Sequence, residues 1–284
     1  MKRNFTYLFL VLCAAAQAQG PELRGGNILA CENWSFRDLI RAGKLDPLTI
    51  PAFYKEQGIP GISYNDVFFK TVDDAYIDQV KAAVHQAGRV VTSYIIEGNL
   101  ALADESKRKA QVEADKTKMR AARRLGAPIV RINVGNTGSE NADDTLGIER
   151  VIRIFNEELV PLARELNLKI SIENHGGVSK TAANVVKIIK GTDRKWVGAL
   201  VDFGNFPADV RYDEVALVAP YAFATHAKVN VFDDKGEAAE YDFPRVLGIL
   251  KKSHYKGPIS IEYEGTGDPI EGVRKTKALI LKYW

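Results

Sequence analysis

Cysteine and histidine are scarce in this sequence: its 284 residues include two cysteines and four histidines. Cys13 lies in an apolar N-terminal segment that we expect to be removed, so Cys31 would have no cysteine left in the chain to pair with. An internal disulfide is therefore excluded from the mature protein, and stability must come from an apolar core. A lone cysteine on a predicted first strand is more typical of a small core residue than of a nucleophile.

An excess of charge of one sign is also absent. The sequence has 39 Lys and Arg residues against 36 Asp and Glu residues, a net charge of +3, and removal of Lys2 and Arg3 lowers it to +1. Proteins that bind nucleic acid or anionic membranes through charge carry a strong basic excess. We therefore expect no nucleic-acid partner, and we interpret the basic segment 107–118 as the solvated face of a helix.

Long apolar runs are missing except near the N-terminus. Lys2 and Arg3 precede the uncharged, largely apolar segment 5–16, and Ala16-Gln17-Ala18 follows as a small-x-small cleavage signal. This layout is typical of a secretory signal peptide and is too short to span a membrane stably. We predict that residues 1–18 are a cleaved signal peptide, that the mature protein is periplasmic or secreted, and that it has no stable membrane association; an uncleaved anchor is the alternative.

The rest of the chain consists of short β-rich runs, each followed by an amphipathic helical stretch. In residues 73–87, for example, apolar residues recur at steps of three and four along one face. Strands are predicted at 27–31, 61–64, 90–96, 128–134, 168–173, 197–202, 222–230 and 259–264. Helices are predicted at 48–57, 73–87, 105–125, 148–166, 181–189, 213–220, 243–253 and 269–283.

Near-continuous apolar strands that alternate with amphipathic helices indicate a parallel sheet covered by helices. Eight such units fit one closed barrel, so residues 19–284 are predicted to form a single α/β domain, a (β/α)8 TIM barrel. A doubly wound sheet is the alternative. It is disfavoured because no predicted strand is followed by a glycine fingerprint for dinucleotide phosphates.

Polar side chains at the carboxyl ends of barrel strands converge on one mouth. The last four predicted strands each deliver one strong metal ligand to that mouth: Glu173, Asp202, His226 and Glu262. A carboxylate on an apolar strand incurs a large desolvation cost unless a cation or partner compensates it. Glu173 and Glu262 also follow the same tripeptide, Ile-Ser-Ile, which suggests matched roles on opposite sides of one site.

Three carboxylates and one imidazole form an oxygen-rich ligand set. It suits one divalent ion, with Mn²⁺ favoured and Co²⁺, Mg²⁺ or Zn²⁺ as alternatives, in a geometry that leaves room for a bidentate substrate. The competing interpretation is a set of buried salt bridges with Lys228 and Arg131. Four ligands on four successive strands favour the metal.

These residues resemble the xylose isomerase-like superfamily of sugar isomerases and epimerases, which also includes inosose dehydratase and endonuclease IV. The resemblance runs from about Asn27 to the C-terminus. It rests on Ile-Glu-Asn at 172–174, Asp-Phe-Gly-Asn at 202–205, His-Ala-Lys at 226–228 and Ile-Glu-Tyr-Glu at 261–264. It implies that Glu173, Asp202, His226 and Glu262 bind the metal and that Glu173 and Glu262 also serve as the acid/base pair.

One position departs from the family pattern: many members have His where this chain has Asn205. Asn is a poor metal ligand but can hydrogen-bond a hydroxyl or a water. The zinc cluster of endonuclease IV needs several further His ligands, and His85 and His254 lie on predicted helices. A DNA-repair nuclease is therefore disfavoured, and one ion is expected rather than a cluster.

Five other residues are candidates for substrate binding besides Asn205: His175, Lys228, Arg131, Glu97 and Trp34. For Lys228, neutralisation of a developing oxyanion and a salt bridge to a ligand carboxylate are both open. His175 is interpreted as a substrate or outer-sphere contact, or as a polar residue on the rim. Arg131 is expected to pair with Glu97 or Glu173, and Trp34 either stacks on a sugar or packs its loop.

The expected function is that of an exported, metal-dependent sugar isomerase or epimerase. A metal that chelates a carbonyl oxygen and the adjacent hydroxyl acidifies the C–H between them, and carboxylates on the two faces then move the proton through an enediolate. Loss of a β-substituent from the same intermediate would give a keto-sugar or 3-keto-glycoside lyase or dehydratase instead. A non-catalytic sugar-binding protein is a third alternative. The partner is a small carbohydrate, and homo-oligomer formation stays open.

Overall fold

Eight parallel strands close into a barrel in the order of the chain, as the sequence predicts. The computed structural model describes residue 23 and residues 25–138 and 144–284, so the predicted signal peptide at 1–18 lies outside the described residues. The strands are β1 (Leu29–Glu32), β2 (Gly61–Asn65), β3 (Val90–Ile96), β4 (Ile129–Ile132), β5 (Lys169–Glu173), β6 (Val197–Asp202), β7 (Ala222–Val229) and β8 (Ile259–Tyr263).

Helices cover the outside of the barrel. Those of the described residues are α1 (Arg37–Arg41), α2 (Ile50–Glu56), α3 (Asp74–Gln86), α4 (Glu105–Leu125), α5 (Asp144–Ile154), α6 (Val160–Leu166), α7 (Ala182–Lys190), α8 (Arg211–Val218), α9 (Phe243–Lys252) and α10 (Pro269–Tyr283). Several begin at an aspartate whose side chain accepts a backbone N–H of the first turn, such as Asp73 before α3 and Asp104 before α4. No helix in the part of the chain that the structure describes is long and apolar enough to cross a membrane.

Side-chain alternation along the strands separates the core from the site. On β5, Ile170 and Ile172 belong to the large apolar core shared by strands and helices, and Glu173 follows with the opposite direction. On β8, Ile259 and Ile261 do the same before Glu262. The positions opposite this core are therefore polar at the carboxyl ends of β5 and β8. A separate small apolar cluster is formed by Ile95, Ile129, Leu200 and Ala224.

Strand β1 extends one residue further than predicted, so Glu32 is a strand residue rather than part of the following loop. The predicted helix 148–166 is divided: α5 begins at Asp144, residues Phe155–Leu159 form a wide π turn, and α6 follows. Pro161 lies in the first turn of α6 and has no N–H to donate to the preceding turn. The helix therefore cannot continue with regular hydrogen bonding through this point.

The segment 107–118 on α4 is only partly a solvated face, contrary to the prediction. Arg108 and Asp115 are buried, and Lys118 forms an ion pair with the buried carboxylate of Asp66, after β2. Charged residues at helical spacing predicted exposure, but Asp66, the partner of Lys118, is too distant in sequence for the periodicity to indicate it.

Candidate metal centre

The four predicted ligands meet at the carboxyl mouth of the barrel. Glu173, Asp202, His226 and Glu262 each offer one ligand atom, and these atoms all lie within 4.8 Å of one another. Strand register brings them together: Asp202 pairs with His226 across β6 and β7, and Lys228 pairs with Glu262 across β7 and β8. All four are buried, with at most 6% of their surface exposed.

Arg131 links two carboxylates at the edge of this group. It is fully buried on β4, and its guanidinium lies 2.6 Å from Glu173 Oε2 and 2.6 Å from Glu97 Oε1. The other Glu97 oxygen accepts a hydrogen bond from Asn133, 2.7 Å away. Arg131 therefore forms the pairing expected from the sequence, with both predicted partners at once.

Lys228 forms a second charged cluster on the other side of the ligands. Its Nζ lies 3.3 Å from Glu262 Oε2, 3.7 Å from Asp202 Oδ2 and 2.8 Å from Glu264 Oε2. It also donates a hydrogen bond to Asn205 Oδ1 at 3.0 Å. The salt bridges that the sequence left open for Lys228 are thus present.

Asn205 lies against the ligands without belonging to the ligand group. Its Nδ2 donates to Glu173 Oε1 over 3.4 Å, and its backbone N–H donates to Asp202 Oδ1 over 2.7 Å. Gly204 N–H also donates to this Asp202 oxygen, so that oxygen is held by the loop. The other, Oδ2, is left facing the ligand group.

His226 shows a contact that the sequence interpretation missed. Its Nδ1 lies 3.4 Å from Glu173 Oε1 and 3.6 Å from Glu262 Oε1, whereas its Nε2 lies 3.3 Å from Glu32 Oε2. Glu32 was not predicted because the first strand was ended at Cys31. The signal that identifies it is the one used for the other strands, an acidic residue at the end of an apolar run, read one residue further along the chain.

Electrostatics at the site shows an excess of buried negative charge. Burial, with the nearby Glu262 carboxylate adding to it, raises the pKa of Asp202 well above its usual range. Burial also raises the pKa of Glu32 to about 8. Burial opposes protonation of His226, but the charges of Glu32 and Glu262 outweigh it and raise the pKa of the imidazole to about 10.

Two ligand carboxylates are nevertheless ionised because each has a cation beside it. Burial favours the neutral acid of Glu173, yet the Arg131 guanidinium holds its pKa well below the usual range. For Glu262, burial is likewise outweighed, and the charge of Lys228 lowers the pKa to about 2. The pKa of Glu173 and that of Glu262 are therefore shifted downward, whereas that of Asp202 is shifted upward.

The residues present fit a divalent cation. Within the described residues, Asp202 Oδ2, Glu262 Oε2 and His226 Nδ1 are buried and have no hydrogen-bond partner. Buried polar atoms without a hydrogen bond are costly, and the ion pair to Lys228 compensates the two carboxylate oxygens only in part, so the group indicates a missing partner. A cation bonded to these atoms would satisfy them and would offset the burial and the repulsion from Glu262 that raise the pKa of Asp202.

A pocket of about 210 Å³ opens onto the ligands. Its wall includes Glu173 and Glu262 but neither Asp202 nor His226, which lie deeper. His175 is exposed at its rim, after β5. The other predicted and newly found residues of the wall are Glu32, Trp34, Glu97, Arg131 and Glu264.

The Trp34 side chain packs against the residues that follow β2 and β8. Its indole N–H donates to Glu264 Oε1 at 2.6 Å, and its ring contacts Phe68 with centroids 5.7 Å apart. The guanidinium of Arg41 lies 5.3 Å from the ring centroid. Loop packing, one of the two interpretations left open, is therefore present, and part of the ring still borders the pocket.

Comparison with known proteins places the chain in one family. The model of the family described as "Xylose isomerase-like TIM barrel" matches residues 51–283. A comparison with curated proteins finds no significant sequence match.

Three similar solved structures agree with this fold. A D-tagatose 3-epimerase-like protein has a TM-score of 0.71 at 18% identity, over 90% of this chain and 96% of its own. The 3-keto-D-glucoside 4-epimerase from E. coli has a TM-score of 0.69 at 18% identity, over 84% and 94%. A protein described as the probable 3-DHS dehydratase from Bacillus anthracis has a TM-score of 0.66 at 14% identity, over 89% and 98%. At such identities the likeness shows the shared fold.

Proposed function

Because the chain belongs to the xylose isomerase-like TIM barrel family, we propose that it is a divalent-metal-dependent epimerase or isomerase of free sugars. The observation that carries this proposal is the group of four buried donors whose ligand atoms lie within 4.8 Å of one another. The structural likeness to sugar epimerases supports the same class of substrate.

Glu173, Asp202, His226 and Glu262 would hold one ion, for which Mn²⁺ is our first choice. When bound, such an ion polarises a carbonyl and a neighbouring hydroxyl oxygen of the sugar and stabilises the enediolate formed on proton loss. Asn205 would contact a substrate oxygen rather than bind the ion, since its carbonyl accepts from Lys228. The site is therefore proposed to contain one ion.

Glu173 and Glu262 would move the proton. Both line the pocket, whereas the other two ligands do not, so only these carboxylates can reach a sugar carbon from within the ligand set. One carboxylate removes the proton alpha to the carbonyl and keeps it, and the other, which has taken up a proton from solvent, donates that proton to the opposite face, which inverts the carbon. Return to the neighbouring carbon gives isomerisation.

The charge of the pocket supports an unphosphorylated substrate. Among the described residues of its wall, five are glutamates, and the arginine there, Arg131, is already paired with Glu97 and Glu173. Lys228, which lies beneath the wall, is shared among Asp202, Glu262 and Glu264. A phosphate group would meet like charge, and the two described side-chain cations beside the ligands are already paired with carboxylates, so a neutral sugar or glycoside is favoured.

Export of the protein is part of the proposal and rests on residues 1–18. If they are cleaved as proposed, protein purified from the periplasm or medium should begin near Gln19. Edman sequencing of that material checks this, and an N-terminus at Met1 would contradict it. A periplasmic location is consistent with free sugars rather than sugar phosphates.

Metal analysis followed by solvent exchange tests the catalytic proposal. The purified protein is loaded with Mn²⁺ or Co²⁺ and incubated in D₂O with free keto-sugars and with 3-keto-glycosides. We expect deuterium at the carbon alpha to the carbonyl and formation of an epimer or isomer. An enone or released aglycone would make the enzyme a lyase instead, and no exchange with any sugar would leave only a binding protein.

The acid/base pair is tested by Glu173→Gln and Glu262→Gln, with metal content measured for each. We expect each variant, saturated with Mn²⁺, to lose at least about 100-fold in exchange rate. Glu56→Gln, an exposed change on α2, is the control and should match the wild type. Full exchange by both site variants would show that other groups move the proton.

A further inference from the structure

Glu32 has a position at the mouth that the ligand set does not explain. It ends β1, is 2% exposed, and lies level with Glu262, because Cys31 pairs with Ile261 on β8. Alternation along β1 turns Cys31 into the core and Glu32 toward the barrel axis. It is not one of the four residues of the ligand group.

Only one of the two oxygens of the Glu32 carboxylate accepts a hydrogen bond from the described residues. Its Oε1 accepts a hydrogen bond from Asn65 Nδ2 at 3.1 Å, and the Asn65 backbone N–H donates to Asn33 Oδ1 at 2.8 Å. Its Oε2 has no hydrogen-bond partner among the described residues, but lies 3.3 Å from His226 Nε2. The open oxygen thus faces the imidazole edge.

The two nitrogens of His226 face different groups. Nδ1 lies 3.4 Å and 3.6 Å from oxygens of the ligands Glu173 and Glu262, while Nε2 faces Glu32. A neutral imidazole has one N–H and one lone pair, so only the tautomer protonated on Nε2 can present a lone pair to the ligand group. The hydrogen bond made by the other nitrogen decides which tautomer forms.

We propose that Glu32 is a positioning residue that accepts a hydrogen bond from the Nε2–H group of His226. This hydrogen bond would direct the Nδ1 lone pair toward the metal. This inference rests on the proposed metal-dependent function. Asn65 holds the carboxylate, and the carboxylate in turn holds the ring plane of His226. Carboxylate acceptors of this kind commonly change metal affinity by 10–100-fold when removed.

The test measures Mn²⁺ binding to the full chain by calorimetry. Glu32→Leu removes the acceptor and should weaken the Kd for Mn²⁺ by about 10–100-fold. Glu32→Gln keeps an acceptor oxygen and should restore part of this, with a Kd about 3–10-fold weaker than that of the wild type. Glu56→Gln, which removes one negative charge from the exposed face of α2 away from the site, is the control, and its Kd should stay within about threefold of that of the wild type.

The tautomer provides a second measurement that a general loss of charge would not change. In protein labelled with ¹⁵N-histidine and loaded with diamagnetic Zn²⁺, the His226 Nε2 proton should be visible and slow to exchange in the wild type and in Glu32→Gln. It should be lost to exchange in Glu32→Leu. An unprotonated Nε2 in the wild type would overturn the proposal.

The outcomes separate this inference from the proposed function. A wild-type protein that binds no divalent metal would contradict the function itself. A wild type that binds Mn²⁺ with both Glu32 variants unchanged would overturn only the role of Glu32. If Glu32→Leu does not fold, Glu32→Gln decides, and a Kd equal to that of the wild type rejects the proposal.

Discussion

Lys228 is the residue whose burial most needs explanation, because a buried ammonium is costly unless it is paired. Burial lowers the tendency of Lys228 to carry its proton, but the carboxylates of Asp202 and Glu262 outweigh it and raise its pKa well above the usual range. The cation therefore stays charged next to two metal ligands. Lys228 therefore balances the negative charge of Asp202 and Glu262 when no metal ion is bound. A metal ion that binds to the two carboxylates would be repelled by the ammonium group.

Replacing Lys228 with Met should separate metal binding from turnover. The variant should bind Mn²⁺ several-fold more tightly, because one positive charge beside the ligands is gone. Its turnover should fall by about 100-fold, because Glu262, one of the proposed acid/base pair, loses the cation that keeps it ionised. Calorimetry and steady-state kinetics at saturating metal measure both effects.

Lys228→Arg keeps the charge and is the control for this change, so its Mn²⁺ affinity should remain close to that of the wild type. Weaker Mn²⁺ binding by Lys228→Met would contradict the argument, since it would mean that Lys228 helps to order the ligands rather than competing with the ion.

The four ligands and the pairing of Arg131 with Glu173 could be predicted from single positions, whereas the contact of His226 with Glu32 could not. Asp202 and Glu262 each end an apolar strand, and such a placement needs no knowledge of neighbours. The contact between Glu32 and His226 joins β1 to β7 across the barrel mouth, and it depends on register and on where β1 ends. Successive strand residues point to opposite faces, so ending β1 at Cys31 left out Glu32, the next residue that faces the site, and with it this contact.

At the scale of the element, helix α4 contains a carboxylate in an unfavourable place. Asp115 is fully buried, accepts one hydrogen bond from Gln111 at 2.7 Å, and is near the charges of Lys118 and Asp66. Burial raises its pKa to about 7, from 3.8. Its ionisation should therefore destabilise the fold at alkaline pH.

The sign of this effect follows from the folded pKa lying above the unfolded one. The folded protein holds the Asp115 proton more tightly, so this contribution to stability is complete below about pH 4 and is lost as pH rises toward 7. Asp115→Asn imitates the neutral acid and should raise the free energy of unfolding by about 1–3 kcal/mol at pH 8. The gain should be much smaller at pH 5.

Urea unfolding of wild type and Asp115→Asn at the two pH values measures this difference. Glu113→Gln, an exposed change on the same helix, is the control and should give a small effect that is similar at both pH values. An Asp115→Asn gain that does not depend on pH would refute the assigned titration.

Two glycines of the barrel should respond in opposite ways to replacement by alanine. A Cβ at Gly257, just before β8, would collide with the backbone oxygen of Phe223 on β7, which cannot move without parting the strands. A Cβ at Gly248, within α9, would meet nothing within 4 Å. Gly248→Ala should stabilise the fold by about 0.5–1 kcal/mol, since alanine is the better helix former.

Gly257→Ala should destabilise the fold by about 1–3 kcal/mol, as expected for overpacking against rigid backbone. Each variant thus serves as the control of the other in one thermal unfolding series. Destabilisation of similar size in both would indicate that the close approach of β7 to Gly257 is not rigid.

The order of elements could be predicted from the sequence because each strand and helix carries its own periodicity. The interruption between α5 and α6 was missed because residues 148–166 keep an apolar face throughout, although Pro161 is a sequence signal for it. The buried side of α4 could not be predicted either, because Asp66 and Lys118 lie far apart in the chain. Periodicity indicates which face of a helix is apolar, but the contacts of its charged residues depend on partners far away in the chain.

At the scale of the whole molecule, the first half of the barrel, β1 to β4, and the second half, β5 to β8, contribute different kinds of residue to the site. The four ligands come from four consecutive strands, β5 to β8. The first half contributes residues that hold those ligands in place, namely Glu32 beside His226 and Arg131 beside Glu173. An ion at the mouth would therefore join the ends of the second-half strands directly and would reach the first half indirectly, through these contacts and through the β4–β5 and β8–β1 pairings.

Hydrogen exchange should reveal this asymmetry. Binding to the folded state alone stabilises it by mass action, and local protection increases most where the bound group suppresses local opening. With Mn²⁺ present, we expect peptides that contain the carboxyl ends of β5 to β8 to exchange at least about tenfold more slowly than with a chelator, while α3 and α4 change little. Mass spectrometry of exchanged peptides measures this, and Asp202→Asn is the control that should abolish the difference. Equal protection of both halves would mean that the ion acts on global unfolding, and protection confined to β1 to β4 would place it elsewhere.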